Sequence, residues 1–100
     1  MAALETAAAI ADTRTFLGRK IMPRYYFDVV RANSSQQDLE GTEFSDLAGA
    51  TAAARDDARH LMAEAVMRGE DISAFHMRIR DDDGKALISI PFGSVLRRLT

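Results

Sequence analysis

Residues 72–92, ISAFHMRIRDDDGKALISIPF, alternate apolar and polar side chains on both sides of an Asp-Gly pair. Few arrangements other than an antiparallel hairpin accommodate that pattern. Phe75, Met77 and Ile79 fall on one face, with His76, Arg78 and Arg80 on the other; Ile88, Ile90 and Phe92 alternate in the same way with Leu87 and Ser89. A two-residue turn at Asp83-Gly84 pairs Asp82 with Lys85. Counting outward then sets Ile79 opposite Ile88, Met77 opposite Ile90 and Phe75 opposite Phe92. A slip of one residue would ruin this match, so the parity supports the hairpin independently of the turn. A four-residue loop preserves the same parity.

The rest of the chain is read around that hairpin. Residues 24–31 form a first strand, with Tyr25, Phe27 and Val29 on one face and Tyr26, Asp28 and Val30 on the other. Pro23 suits the first position of a strand, where a missing N–H matters least. RANSSQQ (31–37) reads as a loop, and DLEGTEF (38–44) as a second, shorter strand in which Gly41 marks a bulge or a close backbone approach. Ser45-Asp46 is a helix start signal, and Gly69 a left-handed stop after Arg68. Between them Leu47, Ala50, Thr51, Ala54, Ala58, Leu61, Met62 and Ala65 occupy roughly one third of a helical wheel. Asp56, His60 and Glu64 lie opposite. Residues 93–99 read as a terminal helical turn carrying Val95, Leu96 and Leu99.

The predicted fold is α+β, in the order β-β-α-β-β: a four-stranded antiparallel sheet with one long helix packed on one face. Tyr25, Phe27, Val29, Phe75, Met77, Ile79, Ile88, Ile90 and Phe92 would meet the helix stripe. Small alanines in the first half of the stripe let the helix sit close to the sheet, and Leu61 and Met62 fill a wider second half.

Two organisational units follow. Residues 22–100 form the single domain, and residues 1–21 a flexible or weakly helical leader whose apolar residues are mostly Ala and give no strong buried stripe. IMPRYYFDVV (21–30) reads like the beginning of a protein, so the natural start is expected at Met22, with the leader as translated upstream sequence. The leader is a poor secretory signal, since it lacks a basic start and is interrupted by Glu5 and Asp12.

These pieces together resemble a family of short alphaproteobacterial hypothetical proteins that begin Met-Pro-Arg followed by aromatics and are known only as a domain of unknown function. The resemblance rests on 22–28 (MPRYYFD), 38–43 (DLEGTE), the Ala/Arg-rich helix, 81–84 (DDDG), and Leu87 through Pro91-Phe92. It extends from Met22 to about Leu96. Members start at the Met-Pro, which agrees with the second-start reading. The loop 31–37 is longer here than in members that turn sooner with a Gly. The family carries no assigned catalytic residues, so no site transfers from it.

Composition narrows the function classes. The chain has no Cys, which removes thiolate metal sites and Cys nucleophiles and fits a reducing, cytoplasmic setting. A net charge of −2 with a pI near 5.6 argues against a general nucleic-acid coat or an anionic-membrane binder, and no apolar run is long enough to span a bilayer. Asp81-Asp82-Asp83-Gly84 fails as a calcium loop, because placing Gly84 sixth puts Ile79 and Ile90 at the first and last ligand positions. His60 has only Asp56 and Glu64 at helical spacing, which is a surface ion-pair pattern and a poor metal site.

The face of the sheet turned away from the helix draws the remaining interest. Tyr26, Asp28, His76, Arg78, Arg80 and Ser89 share it and form the candidate partner surface. It reads in three ways: a solvated face, a homodimer interface that also covers Val30 and Leu87, or a platform where Tyr26 stacks a base while Arg78 and Arg80 hold phosphates. An Asp28–His76 acid–base pair requires their strands to be adjacent. No glycine-rich phosphate loop, nucleophile elbow or metal cluster accompanies it. The expectation is therefore a non-catalytic binding or regulatory module without cofactor or metal, partnered by itself or another protein. The alternative is single-stranded nucleic-acid binding through the open face.

Overall fold

A computed structural model describes the backbone of residues 15–16 and 19–20 and the whole of residues 22–96. Within the leader, read as flexible or weakly helical, β1 (Thr15–Phe16) pairs with β2 (Arg19–Lys20); the rest of the leader, and Leu99, lie outside the described residues. The domain follows as β3 (Arg24–Val30), β4 (Ser35–Gln36), β5 (Thr42–Glu43), α1 (Leu47–Met67), β6 (His76–Arg80), β7 (Ala86–Pro91) and a 3-10 turn over Phe92–Val95. All pairings are antiparallel, in the order β4-β3-β6-β7, with β5 also against β3. This is the predicted β-β-α-β-β arrangement, except that the second strand read at 38–44 shrinks to β5 and that β4 forms at 35–36, inside the stretch read as a loop. Among the described residues no helix is long and apolar enough to cross a membrane.

The break between β4 and β5 has a local cause. Gln36 to Thr42 is six steps of chain, whereas their partners Val29 to Tyr25 are four apart, so the outer strand must shed two residues from the ladder. It does so at Asp38, whose Oδ1 accepts from the N–H groups of Glu40 and Gly41. That is a side-chain-closed turn, which competes with strand pairing. Gly41 completes it at φ 69°, and a Cβ there would lie 2.8 Å from the Tyr26 ring and 2.9 Å from the Tyr25 carbonyl oxygen. The close approach expected at this glycine is present.

The helix begins where Asp46 Oδ1 accepts from the Gly49 N–H at 2.8 Å. At its end the Gly69 N–H donates to the Val66 carbonyl and the Glu70 N–H to the Ala65 carbonyl, with Gly69 at φ 78°. This double closure needs a left-handed residue, which glycine adopts without a Cβ penalty. Ala50, Ala54, Ala58, Met62 and Ala65 are buried against the sheet, while Leu61 and Thr51 are half-buried. Leu47, placed in the stripe from sequence, is more than a third exposed, because the first turn overhangs the packed region.

Under the helix lie Tyr25, Met77, Ile79, Ile90, Phe92 and Val95, with Phe27, Val29, Phe44, Leu61, Ile72, Phe75 and Leu87 packed around them. Fully burying one such side chain stabilises by about 1.5–3 kcal/mol. Ile79 faces Ile88, Met77 faces Ile90, and the Phe92 N–H donates to the Phe75 carbonyl, so the three predicted core pairs form. The turn itself differs from expectation. Asp81, and not Asp82, meets Lys85, and the Gly84 N–H closes on the Asp81 carbonyl with Gly84 at φ 82°. Such a three-residue loop reverses the parity, and the register shift between Ile79 and Arg80 restores it. Ile88, on the edge strand, keeps about a third of its surface exposed.

Candidate functional site

Strand alternation brings the sheet's second face together as the sequence implies. β3 and β6 are neighbours, with Tyr26 opposite Arg80 and Asp28 opposite Arg78, and Ser89 of β7 lies across from Arg78. Met77 and Ile79 are buried while His76 is exposed, so β6 has its faces as predicted; on β7, beside the register shift, Leu87, expected on the open face, packs against the core instead, and Ile88 is left exposed.

The centre of this face is a closed charge cluster. Asp28 has no exposed surface. Its Oδ2 accepts from Arg80 Nε at 2.6 Å and from Arg78 Nε and Nη2, each at 3.2 Å. Its Oδ1 accepts from Arg80 Nη2 at 3.1 Å and from the Asp38 N–H at 3.0 Å. Burial alone would raise the Asp28 carboxyl, but the hydrogen bonds from Arg80, the Asp38 N–H and Arg78 outweigh it and hold the group below the ordinary aspartate value. The hydrogen bond to Asp28 correspondingly raises Arg80.

The outer-strand turn seals the cluster. Arg80 Nη2 donates to the Asp38 carbonyl at 3.1 Å, and the Phe27 N–H, left without a strand partner, donates to Asp38 Oδ2 at 3.1 Å. Arg24 Nη1 reaches the Glu40 carbonyl at 2.9 Å, so a second guanidinium pins the same turn. The Tyr26 ring lies 5.0 Å from the Arg80 guanidinium, and its hydroxyl donates to Asp82 at 3.3 Å.

Of the six residues selected from sequence, Tyr26, Asp28, Arg78 and Arg80 are brought into one network. His76 and Ser89 sit exposed at its margin. The Asp28–His76 pair does not form: His76 faces Val30 and Pro91, and both Asp28 oxygens are occupied by Arg78, Arg80 and the Asp38 N–H. Asp38 is the member that strand reading missed. Asp with Gly three positions later is a side-chain turn signature, and it was the available signal.

The other titratable residues are scattered. His60 Nδ1 lies 3.6 Å from Asp56 Oδ2 on the exposed helix face, where Arg59 also reaches Asp56 at 3.2 Å. Burial, together with neighbouring Asp56, raises the Asp57 carboxyl, and His60 partly opposes this. Among the described residues no three His, Asp or Glu side chains converge in a way that could hold a metal ion.

A second surface carries no charge cluster but much exposed apolar area. Val66 is 69% exposed, Met67 87% and Leu96 55%. Val66 and Leu96 line a cleft of about 270 Å³ with Met62, Ala63 and Ile72, bordered by Arg59 on one side and Glu70 and Asp71 on the other.

Residues 24–93 match the family model of a domain of unknown function, DUF6894, and the chain belongs to that family. Searches of curated proteins and of solved structures give no match.

Proposed function

We propose that this DUF6894 domain is a small, non-catalytic, cytoplasmic binding or regulatory module that acts as a homodimer. The observation that carries the reading is that the charged groups of the sheet face are already engaged with one another. Asp28 occupies both arginines that a phosphate or an acidic substrate would need, and it is itself engaged through both oxygens. A partner meeting this domain therefore encounters a sheet face whose charged groups are already paired and an apolar helix end, surfaces suited to protein contacts.

The runner-up is single-stranded nucleic acid on the sheet face. It draws support from half-buried Tyr26 and from Arg78, whose side chain is a third exposed. Phosphate contact there would have to draw Arg78 from Asp28. Light scattering across a concentration series tests the homodimer, with a mass approaching twice that of the chain expected. Anisotropy of a labelled oligonucleotide tests the runner-up, which requires binding that weakens as salt rises. A flat signal at all salt concentrations removes it.

A further inference from the structure

We infer that the homodimer forms through the C-terminal flank of the helix, two copies packing antiparallel about a twofold axis midway between Ala63 and Val66. This rests on the homodimer reading and assigns it a surface.

The argument comes from self-complementarity. A twofold interface requires that if one residue meets another, the second meets the first in return. Arg59, Ala63 and Val66 follow one another along one side of the helix, and Glu70 lines the same cleft just past Gly69, where the helix has ended. Base, small residue, larger apolar residue and acid in that order are self-complementary under a twofold. An antiparallel copy centred between Ala63 and Val66 sets Ala63 against the partner's Val66 and Arg59 against the partner's Glu70.

Size and charge agree with that pairing. Ala63 is small enough for close helix approach opposite the larger Val66, and Leu96 and Ile72 widen the apolar floor. The acidic and basic residues stand at opposite ends of the cleft, so the twofold brings unlike charges together at both ends. Arg59 currently reaches Asp56, and Glu70 reaches Arg68, each at 3.2 Å. These are exposed local pairs that restrain the side chains little. An unrelated partner would give no reason for the mirrored order.

Light scattering and analytical ultracentrifugation, from micromolar towards millimolar protein, test the inference. The wild-type chain is expected to dimerise. Val66→Glu should leave it monomeric with an unchanged circular dichroism spectrum. Arg59→Glu and Glu70→Arg should each weaken the dimer by about tenfold, as two attractive contacts become repulsive. The Arg59→Glu, Glu70→Arg double variant should restore it. A wild-type chain that is monomeric throughout overturns both the homodimer reading and this surface. A dimer unaffected by Val66→Glu and by both charge reversals overturns the surface alone and leaves the homodimer standing.

Discussion

The polar face of the sheet and the C-terminal flank of the helix differ in whether their groups find partners within the fold. The sheet face holds a Tyr, two Arg and an Asp, the residue types that ordinarily mark a site, yet Asp28 is wholly enclosed and its arginines are committed to it. The helix flank is mostly apolar, with Ala63, Val66, Ile72 and Leu96 beside the charged Arg59, Glu70 and Asp71, yet Val66, Met67 and Leu96 stand open. Residue chemistry alone does not identify a binding surface; what matters is whether the groups are already satisfied within the fold. Buried polar groups that find all their partners act as structure, and exposed apolar groups without partners are the ones that gain from association.

The largest expected effect lies on the sheet face. Asp28→Ala leaves Arg80, only 19% exposed at its side chain, without its carboxylate and frees the Asp38 N–H. Unfolding in urea should show a loss of about 3 kcal/mol, below the full value for a sealed pair because Arg78 can turn to water. The same group gives a pH signature. Its folded pKa lies below the unfolded one. Its stabilisation is therefore complete above the ordinary aspartate value of about 3.9 and is lost as pH falls through the lower folded value. Asp28→Asn should remove that part of the acid dependence. If Asp28→Ala is neutral, the face is not held by its charges and the comparison fails.

Next comes the helix-facing side. Ala54 and Ala58 have no exposed surface, and their size sets the helix-to-sheet distance. Ala54→Leu should cost about 1–3 kcal/mol by overpacking, measured as a lowered thermal midpoint. Gly41→Ala should cost about 1–2 kcal/mol, combining a left-handed backbone with contact on the Tyr26 ring. Amide exchange should accelerate at the Asp38 N–H if that turn seals Asp28. Smallest is Val66→Glu: at a site 69% exposed it should shift the monomer's stability by less than about 0.5 kcal/mol.

The hairpin of β6 and β7 was legible because its alternation is strict and both strands contribute large apolar residues, so Met77–Ile90 and Ile79–Ile88 follow from parity. The turn chemistry was not, since a three-residue loop and a compensating bulge give the same core pairs as a two-residue loop. The helix ends were legible from Asp46 and Gly69, which act through local bonds. The outer strand was placed at 38–44, and β4 was missed in the stretch read as a loop, because Asp38 carries information about a side-chain turn that strand patterning ignores. The candidate site was legible as a set of residues sharing a face, but not as a closed network. That closure depends on Asp38 arriving from another element and on Arg78 and Arg80 folding inward over Asp28, and neither is encoded in alternation. The helix flank escaped notice because a wheel read for its buried stripe ends at Ala65, leaving Ala63, Val66 and Met67 as unremarkable exposed positions.

The most direct measurement is a dilution series of amide spectra by nuclear magnetic resonance. As concentration rises, the account predicts shifts at Ala63, Val66, Met67, Glu70 and Leu96, with Tyr26, Arg78 and Ser89 unchanged. Shifts confined to Tyr26, Arg78 and Ser89, with the helix flank silent, would contradict it.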